Sequence, residues 1–157
     1  MANTIIWDAL PSAAIIMPTN QAGMLLSLED DGIGVSNEVA NGGPVNDTMA
    51  SFQLYIAAWV GVPADYFECH IVYKLDDTLF ADGEAGDVAD PNLGPNTLVG
   101  IFPVTAVNGA QLIPLIGVPI HPFDFKVCIV NRTGSALADG APDTCTLTIF
   151  PYSLEVQ

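Results

Sequence analysis

Basic residues are scarce in this sequence. Three Lys and Arg stand against 18 Asp and Glu, a formal net charge of −15 over 157 residues. A direct nucleic-acid binder displaces counterions with clustered Lys and Arg, and adhesion to an anionic membrane surface draws on the same clusters. Neither is expected of this chain. Charge of both signs together reaches only 13% of residues, while 50% are hydrophobic. Disordered chains combine high charge with low hydrophobicity, so a folded domain is expected. The apolar content fills one core and leaves some over for contacts with other chains.

Long apolar runs are missing as well. Pro or charge interrupts every candidate before the roughly 18 residues of a membrane span. The opening stretch MANTIIWDALPSAAIIM has no basic n-region and is broken by Asp8 and Pro11. It is therefore not a secretory signal, and synthesis and use in a cytoplasm without export are expected. Cys69, Cys128 and Cys145 form no CxxC pair and are odd in number, which suits three small core residues better than a disulfide framework or a zinc knuckle. His70 and His121 are the only imidazoles, and both are expected to be ordinary surface or loop residues. With no nucleophile elbow, HExxH helix or Gly-rich phosphate loop, the chain is not expected to be an enzyme.

What is present is β-pattern. Punctuation by Gly and Pro recurs along the chain, and no long window has helical periodicity. In Tyr66 to Leu75, Phe67, Cys69, Ile71, Tyr73 and Leu75 share one face, opposite Glu68, His70 and Lys74. From Phe123 to Val130, Phe123, Phe125, Val127 and Ile129 point inward and Asp124 and Lys126 outward. Cys145, Leu147 and Ile149 oppose Thr144, Thr146 and Thr148. In Ser51 to Val62 both faces lack charge: Phe52, Leu54, Ile56, Ala58 and Val60 on one, Gln53, Tyr55, Ala57 and Trp59 on the other. Either both faces are covered or the second meets a partner. Residues 97–107 and 110–120 are cut by Pro103, Pro114 and Pro119, which predicts edge or bulged strands. Asn108-Gly109 between them is a tight-turn signal. Asp76-Asp77 and Thr133-Gly134 mark further turns. The expected fold is all-β, an antiparallel β-sandwich of jelly-roll or Ig-like type over residues 46–157. Residues 1–45, short apolar pieces between prolines and glycines, are expected to form an extended N-terminal arm or outlying strands.

Three groups of residues are candidates for binding. Asp82, Glu84, Asp87 and Asp90 form the densest acidic stretch. A solvated loop is the plain reading, and a Ca²⁺ site the alternative, since hard cations take six to eight oxygens from a flexible loop. No other cofactor is implied. Tyr55 and Trp59 lie on one side of a strand. They pack under the arm or between the sheets, anchor an interface, or form a sugar-stacking platform. Ile5, Ile6 and Trp7 in the arm complete the interface candidates. Asn46-Asp47-Thr48 and Asn131-Arg132-Thr133 match the glycosylation sequon, here by chance.

Several stretches resemble a known family. Tyr66-Phe67-Glu68 with Tyr73-Lys74-Leu75-Asp76 is one. The most specific runs from Gly117-Val118-Pro119-Ile120-His121 through Pro122-Phe123-Asp124-Phe125-Lys126-Val127. Asn131-Arg132-Thr133-Gly134 with Ala136 and Ala138, and the tail Tyr152 to Gln157, add to it. Together, over about residues 50–157, they resemble small virion proteins of tailed bacteriophages. His121 stands where the pattern has a second Pro, and Thr146, Thr148 and Phe150 where it has basic residues. The resemblance implies a capsid decoration, or cement, protein on the outside of the virion, made in a host bacterial cytoplasm. It implies the major capsid protein as partner and a homotrimer as the assembly state. The −15 charge agrees with a place away from packaged DNA, and an arm of short apolar pieces suits strand addition to neighbours. A tail, collar or fibre-base position, or a carbohydrate-binding module, are the alternatives.

Overall fold

A computed structural model describes residues 5–7, 13–17, 25, 28–42, 47–59, 65–75, 80, 93–105, 109–137 and 145–156. Its strands are β1 (Ile5–Trp7), β2 (Ala14–Met17), β3 (Ile33–Val35), β4 (Met49–Trp59) and β5 (Tyr66–Tyr73). They continue with β6 (Leu98–Pro103), β7 (Gly109–Pro119), β8 (Phe125–Arg132), β9 (Cys145–Tyr152) and β10 (Leu154–Val156). No helix occurs among the described residues.

The pairing is nested. β1 lies against β10, β2 against β9, β3 against β8, β4 against β7 and β5 against β6, all antiparallel. The chain is thus one long hairpin. Two further pairings, β4 with β9 and β5 with β8, roll it into sheets ordered β2-β9-β4-β7 and β3-β8-β5-β6. Successive hairpin pairs alternate between the two sheets, which is the jelly-roll arrangement rather than the Ig-like one. β1 and β10 form a separate two-stranded ribbon.

Alternation of side chains builds the core between the sheets. Phe52, Leu54 and Ile56 of β4 and Cys145, Leu147 and Ile149 of β9 face inward from one sheet. Phe67, Cys69 and Ile71 of β5 and Phe125, Val127 and Ile129 of β8 face them from the other. Ile16, Met17, Leu25 and Leu28 belong to the same cluster, so the core runs continuously across residue 45. The N-terminal segment contributes β2 and β3 as outer strands of the two sheets. β6 and β7 are edge strands, as their prolines predict, and β7 is bulged against β4.

Four expectations need correction. Asn108 lies outside the described residues, and Gly109 has φ +125°. β6 and β7 belong to different sheets, so they do not pair with each other as a hairpin. Gly100 of β6 faces Leu115 of β7 across that gap, with only 2.6 Å between an added Cβ and the Leu115 Cδ1. Phe123 is exposed, because a tight turn from His121 O to Phe123 N (2.8 Å) precedes β8 and delays the alternation to Phe125. Leu75 is also exposed, because β5 stops at Tyr73 and the inward phase ends with it. His70 is buried at 6% exposure, for a reason that lies on the outer face of its sheet.

Candidate functional site

The outer faces of the two sheets differ in chemistry. On β3-β8-β5-β6 the outward positions include Glu68, His70, Val72, Lys126, Cys128, Val130 and Arg132, paired across β5 and β8. All three basic side chains of the molecule, Lys74, Lys126 and Arg132, lie on or at the end of these two strands. Each meets a partner. Lys74 Nζ is 2.9 Å from Glu38 Oε1, and Lys126 Nζ lies 4.7 Å above the Phe80 ring. Arg132 contacts Asp31 and donates from Nε to Glu68 Oε2 at 3.2 Å. The chain folds back over this face. Phe80 forms a bridge with Lys74 and buries Val72 and Cys128, with Ile33, Val35 and Leu93 packed around them.

That cover explains His70. The turn at residues 94–97 places Thr97 Oγ1 3.0 Å from His70 Nδ1. Thr97 Oγ1 already donates to Gly94 O at 2.7 Å, so Nδ1 must be the donor to Thr97. Nε2 is then a bare acceptor without a hydrogen-bond partner, 3.5 Å from Glu68 Oε2, a second acceptor. Burial lowers the imidazole pKa below its ordinary value, with Glu68 opposing and Arg132 adding to the shift. Alternation alone placed His70 with the polar residues correctly; it had no access to the chain that covers them. His121 is exposed in its loop, edge-on to Tyr73.

The outer face of β2-β9-β4-β7 carries no charge at any described position. Register aligns Ile15, Thr148, Gln53 and Pro114 in one row across all four strands, and Thr146, Tyr55 and Leu112 in the next. Phe150 and Ser51 form a third, with Ile116 beyond the β7 bulge. Ile15, Leu112 and Ile116 are 58%, 57% and 75% exposed, so the two edge strands give this face apolar rails around a hydroxyl- and amide-rich centre. Tyr55 is half-buried on this face and does not lie between the sheets. Trp59 pairs with Gly109 at the end of β4, and Ile5 to Trp7 pair with β10; their side chains lie outside the described residues. Leu112, Ile116 and Ile15 were not singled out by sequence reasoning. A signal for two of them existed: between Asp90 and Asp124 the chain has no Asp, Glu, Lys or Arg.

The remaining candidates sort simply. Asp82, Glu84, Asp87 and Asp90 lie outside the described residues. Among those that are described, no three His, Cys, Asp or Glu side chains are placed to share a metal. Cys69, Cys128 and Cys145 are buried and reduced, and burial pushes the Cys69 thiol up and that of Cys145 up to about 11. Asn131 is fully buried. Its Nδ2 donates to Leu28 O and Ser135 O, and its Oδ1 accepts from Thr133 N and Oγ1, which closes that sequon to a glycan. Asn46 lies outside the described residues. Compared with known proteins, the chain matches no family model and no curated protein.

Proposed function

We propose that this chain is a structural subunit of a tailed-bacteriophage virion, a decoration protein bound to the outside of the major capsid protein shell. The observation that carries the reading is the division of its surface. A molecule of net charge −15 keeps one four-stranded sheet face free of described charge and rims it with exposed Ile15, Leu112 and Ile116. Exposed apolar surface of this kind marks a contact with another protein. The acidic remainder is repelled by DNA, which favours the outer side of a filled head. Two supports stand beside it: the resemblance over residues 50–157, and the jelly roll, an architecture used by viral capsid proteins and by lectins. Of these two classes the resemblance favours the first.

As a decoration protein it acts by mass action: a ligand that binds only the assembled shell stabilises that shell. The test mixes purified protein with empty shells assembled from the major capsid protein of the same phage. Saturable co-sedimentation and a raised shell melting temperature are expected. Absence of binding overturns the reading, and a few copies at one vertex in an image of the virion, instead of a shell-wide array, moves it to the tail or collar.

A further inference from the structure

We infer that the uncharged face of β2-β9-β4-β7 is covered by a second copy of this chain, in a two-fold pair. The inference rests on the proposed function's premise that this face is a protein contact, but it gives the face to a second copy, leaves shell binding to the rest of the pair's surface, and replaces the homotrimer that the resemblance implies. Charge names the occupant. A basic partner would be held by carboxylates, and this face presents none at its described positions. Its complement must itself be neutral and apolar-rimmed, and this chain carries such a surface. Asp47, two residues before β4 and 3.3 Å from Ser153 Oγ, stands at the border of this sheet, while most described carboxylates lie elsewhere, such as Glu29, Asp30 and Asp31 beside the β8 end, Glu38 against Lys74 and Glu68 on the other sheet. Pairing by this face keeps those groups out of the contact and leaves them to water.

Symmetry and size agree. A two-fold contact uses the same patch twice and closes at two, so one such face per chain suffices. With the axis along the strands, β2 of one copy lies over β7 of the other. Ile15 then meets the Leu112, Pro114 and Ile116 rail, and the hydroxyl- and amide-bearing centres face each other. Sheets pack on sheets about 10 Å apart in this way. Strands of four, eight, eleven and eleven residues, about 4.8 Å apart and rising about 3.3 Å per residue, give a flat footprint of roughly 500 Å². Side-chain relief raises the accessible area toward the ~800 Å² per partner of a standard interface. Addition of strands edge to edge is the poorer route, because Pro114 interrupts the donors of β7.

The test is sedimentation equilibrium of the full chain beside Leu112→Glu and Ile116→Glu, with Leu75→Glu on an exposed site outside the face as control. The wild type and the control are expected to be dimers, and each face variant to dissociate by more than about tenfold. Circular dichroism and melting verify that the variants stay folded, as expected for positions 57% and 75% exposed. A monomeric wild type, a trimer, or dimers that survive both face variants would overturn the pair. Shell binding is measured separately: dimers that ignore shells defeat only the proposed function, and monomers that coat shells defeat only this inference.

Discussion

At the scale of single residues, His70 holds a buried acceptor opposite a carboxylate. Burial keeps its pKa below the ordinary imidazole value of about 6.5. Just below that pH the unfolded chain binds a proton that the folded chain resists, so stability falls as pH falls through this window. His70→Gln removes that titration. Urea midpoints measured from about pH 7 to about pH 5 should decline less for the variant than for the wild type, with carboxylates contributing equally to both. Identical slopes would mean that the imidazole is not held neutral. The residue's side of the strand was legible from period-2 alternation; its burial was not. Thr97 and Phe80, which come back over that face, are 27 and 10 positions away, beyond the reach of any local pattern.

At the scale of elements, the contact of Gly100 in β6 with Leu115 in β7 ties the two edge strands together across the sandwich. Gly100→Ala forces Leu115 to shift and should cost about 1–3 kcal/mol, the usual range for overpacking. In a Leu115→Ala background the same change should cost little, so a double-mutant cycle in urea should be strongly non-additive. Additive effects would show that the strands are free to separate. A second prediction concerns β2 and β3. Deleting residues 2–45 removes Ile16, Met17, Leu25 and Leu28 from the core and bares the edges of β9 and β8. Each buried side chain contributes about 1.5–3 kcal/mol, against a total of roughly 5–15 for a domain. The truncated chain should lose its cooperative melting transition; a sharp melt near that of the full chain would refute this. The short apolar pieces of residues 1–45 are visible in the sequence. Their place in two different sheets is not, because three- and four-residue strands carry too little pattern to name a partner.

At the scale of the whole molecule, net charge sets how copies meet. Raising ionic strength from about 0.01 M to about 0.15 M shortens the screening length from about 30 Å to about 8 Å. Repulsion between two chains of −15 each should weaken accordingly, and self-association should tighten with salt, as read by sedimentation. Equal or tighter association at low salt would show that ion pairs, and not an uncharged face, hold the copies together. The same charge also bears on where the face could be. The chain carries few charges, yet they are unevenly placed, and the stretch between Asp90 and Asp124 that holds β6 and β7 has none. Composition shows that uncharged surface must exist; only folding collects it from β2, β4, β7 and β9 onto one side.

The sequence by itself determined the β class, the inward residues of β5 and β9, the edge or bulged character of β6 and β7, and the sign of the molecule's field. These follow from side-chain alternation, the missing donor of proline and a count of charges, all of which are local or additive. The tertiary structure alone decided which strands are neighbours, that β6 and β7 part into different sheets, and which of the two sheet faces is covered. The physical reason is that strands pair through backbone groups common to every residue. Alternation tells a side chain which face it occupies, while the neighbour of each strand is set by how the whole hairpin rolls up around its core.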